Sequence, residues 1–313
     1  MTEPLRPMST GQVLDHTFAL YRRNFLLFVG IACIGPAAYL IFQLLMVGSA
    51  VVPVGSQRTA TAGLSFGFGV IAGVIVMLAG MAIAHAATVK AVAAVYLGRK
   101  ISIAAAYRSL SGRIWRVLGV FSLVMLISGA AAGVIILLAV LIGTVAVVGG
   151  AKAGTAGTVL GVIVGIGAAV VGGLAAVAIY IRYSLAVQAC VVEDVGVVAS
   201  LKRSAVLSKG SRSRILTVYF VFGVLSYIVA FGLGAIAAAG GALLHNPMLA
   251  MILIYVATFI AGALNGPLAT IGISLLYYDE RIRKEAFDLQ LMMSNLEAPG
   301  LPVAPPAPTP AQI

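Results

Sequence analysis

Three histidines, nine carboxylates and two cysteines are the whole stock from which this 313-residue chain could build metal, acid–base or nucleophilic chemistry. Their spacing assembles none of it. His16, His85 and His245 fall in different segments, so no histidine pair has metal-site spacing. Cys33 and Cys190 have no CxxC partner and no histidine neighbour, and read as small apolar core residues. The acids Glu3, Asp15, Glu193, Asp194, Asp279, Glu280, Glu285, Asp288 and Glu297 all lie outside the long apolar runs, which argues against a carboxylate proton relay within a bilayer. There is no G-x-S-x-G elbow and no P-loop. The expectation is a protein that is not an enzyme and holds no cofactor and no metal.

The remaining polar groups of interest sit in the even-numbered apolar runs: His85, Lys90, Arg182, Gln188 and Asn265. His85 precedes Gly98 by 13 residues, Arg182 precedes Asp194 by 12, and Asn265 precedes Tyr278 by 13. Comparable depths predict one polar layer of His85, Arg182 and Asn265, about 18–20 Å along each helix from its exit. In one reading the layer lines a cavity or anion site facing the cytoplasm, with Arg182 as the fixed charge for a phosphate or carboxylate. In the other, Lys90 and Arg182 snorkel to headgroups while His85 and Asn265 hydrogen-bond between helices. Pro267, just after Asn265 and Gly266, is expected to kink or open the helix there.

The elements that must position these residues are transmembrane. The chain is 61% hydrophobic and 9% charged, with a mean hydropathy of +1.11, far from soluble proteins at about 25% charged. Apolar runs at roughly 25–54, 64–97, 117–148, 155–190, 215–244 and 248–278 predict an all-α integral membrane protein of six transmembrane helices. Short breaks within successive pairs arrange them as three hairpins. The first run is too long and too late for a signal peptide, so it is expected to remain as a span.

A segment with helical apolar spacing precedes each pair. Leu14, Phe18, Tyr21 and Phe25 are matched 89 positions later by Ile103, Tyr107, Leu110 and Ile114, and Val197, Leu201 and Ala205 give a poorer third copy. This predicts an amphipathic interfacial helix before each hairpin, in repeats covering about 9–97, 102–190 and 196–280. Ser9 with Gln12 forms a capping-box pattern, and Asp194 stands where the third copy would be N-capped. Small-xxx-small spacing at Gly69 and Gly73, Gly129 and Gly133, and Gly157, Gly161 and Gly165 is expected to bring helices close.

Of the 20 Lys and Arg residues, all except Arg58 and Lys152 lie on one side of the spans or in the span ends leading there. The positive-inside rule then puts both termini and the amphipathic helices in the cytoplasm. Arg108, Arg113, Arg116, Lys202, Arg203, Lys209, Arg212 and Arg214 are candidate contacts for anionic lipid headgroups. No stacking aromatics or binding-fold signature accompanies them, which argues against nucleic acid as a partner.

The runs "RPMSTGQVLDHTFALYRRNF", "VVEDVGVVASLKRSAVLSKG" and "LLYYDERIRKEAFDLQL" resemble the membrane-domain family associated with glycerophosphoryl diester phosphodiesterases. The likeness spans about residues 5–292. It rests mainly on Glu193 followed by Lys202, Arg203 and Ser204, and on Tyr277, Tyr278, Asp279 and Arg281. It implies a multi-pass domain in the inner membrane of a prokaryote, of undefined activity, without the phosphodiesterase barrel to which some relatives are fused. On this reading residues 1–292 form the membrane domain, and 293–313, rich in Pro and Ala, form a disordered cytoplasmic tail. Two functions follow as expectations. One is a non-catalytic scaffold or accessory subunit that meets anionic lipid, a protein partner or a second copy of itself. The other is a permease or lipid-handling transporter using His85, Arg182 and Asn265.

Overall fold

The computed structural model describes residues 7–50, 60–151, 155–243, 245–286 and 293. Arg6, Arg58, Lys152, Glu3, Asp288, Glu297 and the expected tail beyond residue 293 lie outside them. Every described element is a helix: α1 Thr10–Arg23, α2 Phe25–Ala32, α3 Ile34–Ala50, α4 Ala60–Tyr96, α5 Ile103–Arg108, α6 Ile114–Ala151, α7 Thr155–Tyr183, α8 Ala186–Glu193, α9 Val197–Leu207, α10 Arg212–Leu243 and α11 Pro247–Glu285. Six stretches are long and apolar enough to cross a membrane: Phe25–Met46, Gly67–Tyr96, Ile114–Val145, Thr155–Glu193, Arg212–Leu243 and Pro247–Glu285. The chain is an all-α, multi-pass membrane protein.

Two of these spans are interrupted. Pro36 has no N–H to return to the Ala32 carbonyl, and the first span breaks at Cys33 between α2 and α3. The fourth breaks at Ser184–Leu185 between α7 and α8. There, α9 supplies the missing partners: Ser204 Oγ accepts from the Leu185 N–H at 3.1 Å, and the Ser204 and Ser208 hydroxyls donate to the Arg182 carbonyl at 3.0 and 3.1 Å. Backbone freed inside a membrane persists where neighbouring side chains satisfy it in this way. α11 continues through Pro267, and hydroxyls flank the proline. Tyr21 donates to the Leu264 carbonyl at 2.7 Å and Thr270 to the Gly266 carbonyl at 3.3 Å.

Sequence neighbours α3 and α4, α6 and α7, and α10 and α11 pack along one another. Two close approaches need glycine. A Cβ on Gly172 would lie 2.0 Å from Ile135 Cγ2, and one on Gly241 would lie 2.1 Å from Ala250 Cβ. The expected glycine faces are used only in part: Gly73 meets the Phe42 ring and Gly165 meets Gly143, while Gly69, Gly129 and Gly133 face open space.

The core lies towards one end of the bundle, where α4, α8 and α11 finish and α6 and α10 begin. Ile271, Ile273, Leu275, Leu276 and Tyr277 of α11 are fully buried there with Ile215 and Phe222 of α10, Leu185, and Phe28 and Ile31 of α2. This is hereafter the charged end, because the Lys and Arg residues cluster there.

The segments before the pairs pack differently from one another. Ser9 caps α1, and Gln12 Oε1 accepts from the Ser9 N–H at 2.7 Å. Met8 meets Asp279 and Tyr21 meets Leu264, so α1 runs antiparallel along about 22 Å of α11 rather than flat across its end. Its buried residues are Val13 and Thr17, while Phe18 and Phe25 of the expected stripe are 43% and 41% exposed. In α5, Tyr107 donates to the Ile31 carbonyl, and burial pushes its phenol up to about 12, keeping it a neutral donor. Asp194 does not cap α9. It ends α8 in the left-handed conformation, and Gly196 is the N-cap of α9.

Candidate functional site

Two features are built on this frame: an ionic base at the charged end and a cavity above it. The base begins with local chemistry on α11, where Asp279–Arg283, Glu280–Lys284 and Arg281–Glu285 are ion pairs one helical turn apart. Asp279 and Glu280 are 0% and 1% exposed, and two carboxylates buried this deeply need more partners than these pairs supply. Arg214 of α10 completes them, with Nη1 at 2.8 Å from Asp279 and 2.9 Å from Glu280. The chain entering α1 is bound into the same group. The Met8 N–H donates to Asp279, and its carbonyl accepts from Arg214 at 2.8 Å and Arg283 at 2.7 Å.

A second cluster lies beside the first. Arg203 of α9 lies 2.8 Å from Glu193 and also pairs with Glu285, while the Tyr277 hydroxyl donates to Glu193. Hydrogen bonding to Glu285 and then Glu193 raises the Arg203 guanidinium above its ordinary range, so it stays charged at any pH the protein meets. Lys284 donates to the Leu207 and Lys209 carbonyls, which ties the end of α9 to α11.

These contacts revise the candidate headgroup cations. Arg203 and Arg214 are committed to buried or half-buried acids, and Arg113 and Arg116 pair with Asp194 at 2.8 and 3.3 Å. Arg108, Lys202, Lys209 and Arg212 are exposed. Asp279 and Glu280, which lie outside the long apolar runs of the sequence, are nonetheless core residues. The i, i+4 alternation in "DERIRKE" was the available signal. What the sequence could not supply was Arg214, 65 positions before Asp279.

Above the base lies a cavity of about 520 Å³, to which all six spans contribute lining. Along α11 it runs from Thr258 to Thr270, about 18 Å of helix. Towards the charged end its lining along α11 stops at Thr270, where the packed residues Ile271–Tyr278 begin. The helix interruptions are at its wall: Pro36 beside the first break, Ser184 at the second, and Gly266 next to Pro267 all line it.

His85 and Asn265 both line the cavity, whereas Arg182 does not. The Arg182 side chain is exposed, with its guanidinium 5.6 Å from the Tyr183 ring centroid. The expected layer is therefore divided: α7 turns Tyr180 and Tyr183 inward and Arg182 outward. A depth count along a helix carries no azimuth, and this is where it failed. In the wall, Thr270 Oγ1 and His85 Nδ1 are 3.2 Å apart, and Tyr180 and Tyr219 have ring centroids 5.4 Å apart. Asn265 Nδ2 is buried without a partner, as are both polar atoms of Gln188 on α8.

Fold and cavity together define a polytopic membrane protein whose six spans enclose a ligand-sized chamber above a salt-bridged base. In comparisons with known proteins, the chain matches no family model, no curated protein and no solved structure.

Proposed function

We propose that this is a non-catalytic, lipid-handling membrane protein that takes an amphiphile of the bilayer into the cavity between its helix pairs. The observation that carries the reading is the cavity itself. At about 520 Å³ it has the size of small-molecule sites, about 300–1,000 Å³, and a mostly apolar wall with a few polar groups. Helix interruptions at its wall add support, since broken spans recur where transporters hold substrate. This favours a permease or lipid-handling role over a pure scaffold, which would need no chamber.

The charged end faces the cytoplasm in this proposal, across the inner membrane of a prokaryote. Trp115, 84% exposed between Arg113 and Arg116, supports a headgroup level there, and the exposed Arg108, Lys202, Lys209 and Arg212 fit contacts with anionic lipid. Membership of the membrane-domain family associated with glycerophosphoryl diester phosphodiesterases stays part of this proposal, on the quoted motifs alone.

The test uses protein extracted in native lipid patches without detergent. Ala230 lines the cavity and is exposed, so Ala230→Trp fills space without displacing packed atoms; Ala235, exposed outside the cavity, provides a control. Mass spectrometry is expected to find one amphiphile enriched at near-stoichiometric amount in the wild type and in Ala235→Trp, and lost in Ala230→Trp. Bulk lipid in membrane proportions in all three would overturn the proposal.

A further inference from the structure

We infer that the amphiphile taken by this cavity is uncharged and carries a hydroxyl group that pairs with His85 and Asn265. This inference rests on the lipid-handling reading and goes beyond it in naming the chemical class.

Charge is the first argument. Among the described residues, the wall contains no Asp, Glu, Lys or Arg. A phosphate or carboxylate brought here would lose its hydration and meet no countercharge. The cations that could have met it are elsewhere: Arg203 and Arg214 are occupied in the base, and Arg182 points outward. A headgroup bearing a phosphate is therefore disfavoured, even though the bilayer is full of them.

Hydrogen bonding is the second argument. Thr270 Oγ1 has one proton and two neighbours, the Gly266 carbonyl at 3.3 Å and His85 Nδ1 at 3.2 Å. The carbonyl can only accept, so a Thr270 hydroxyl that donates to it must accept from His85 Nδ1–H. That tautomer, assigned from the network, leaves His85 Nε2 as an acceptor. Asn265 Nδ2, buried and unpartnered, supplies a donor on a lining residue. An acceptor and a donor in one apolar chamber complement an alcohol, which gives one hydrogen bond and takes another. A hydrocarbon would leave Asn265 unsatisfied. Diacylglycerols and long-chain isoprenoid alcohols both meet this description.

Three probes with the same diazirine-bearing chain decide the matter in reconstituted full-length protein: a diacylglycerol, the corresponding phosphatidic acid, and a hydrocarbon without a headgroup. Cross-linked peptides are mapped by mass spectrometry. The expected result is labelling of the segments 81–88 and 258–270 by the diacylglycerol at least fivefold above either other probe. Asn265→Leu, and separately Thr270→Val, should bring diacylglycerol labelling of these segments down towards that of the hydrocarbon. Phosphatidic acid labelling equal to diacylglycerol would overturn the uncharged class, and hydrocarbon labelling equal to it would overturn the hydroxyl; in both cases lipid handling stands. Labelling by every probe no higher in these segments than on the outer face of α7 would sink the lipid-handling reading itself. The wild-type comparison needs no variant, so a variant that misfolds does not protect the inference.

Discussion

The last turns of α11 and the α6–α7 pair are both long helix, yet they inhabit opposite environments. Every residue from Thr270 to Glu280 is buried, by α1, α4, α10 and the base. On α7, among residues whose exposure is described, only Gly161, Gly172 and Ile181 are buried. Large apolar side chains such as Leu160, Ile163 and Leu174 are at least 60% exposed there. Lipid is as good a solvent for these side chains as protein is, so exposure costs them little and burial must be driven by close packing and polar pairing. The difference shows where the molecule is held: an ion-tied base fixes the floor of the cavity, and the α6–α7 pair is a limb attached mainly near that floor. Limbs with few buried contacts belong to the low-stability end of a structure, where opening is cheapest.

The strongest way to break this contrast is to remove Arg214. Arg214→Met leaves Asp279 and Glu280 buried with Arg283 and Lys284 as their paired cations, and the expected loss is about 3–5 kcal/mol of stability. Thermal unfolding in native lipid patches measures it, and a midpoint within a degree of wild type would mean that the base holds nothing together. A smaller loss is expected from Leu276→Ala in the packed floor. With no transfer to water involved, mainly the cavity term remains, about 2 kcal/mol. The smallest is expected from Leu160→Ala on the limb, 62% exposed, at about 0.5 kcal/mol or less. If Leu160 and Leu276 prove equally costly, the division into base and limb fails.

The architecture was legible in composition because apolar run length has one physical meaning in a bilayer. Six runs of spanning length became six spanning helices, and Ser9 with Gln12 formed the cap their spacing announced. The site was legible by half. His85 and Asn265 line the cavity, but depth alone could not tell that Arg182 turns outward while its neighbours Tyr180 and Tyr183 turn in. The base was illegible for a different reason. Its acids lie past the ends of the fourth and sixth runs, where hydropathy predicts solvent, and the tertiary approach of Arg214, Arg203 and Met8 covers them. The break at Ser184–Leu185 left no proline or glycine to mark it, because its compensation comes from serines on α9.

The most direct test of the account is a cryo-electron microscopy map of the protein in native lipid patches, at a resolution that shows side chains. The expected map shows Arg214 against Asp279 and Glu280 at the charged end, with elongated density above it, between Thr258 and Thr270, reaching His85 and Asn265. Helix pairs collapsed onto one another there, with protein side chains filling the space, would contradict it.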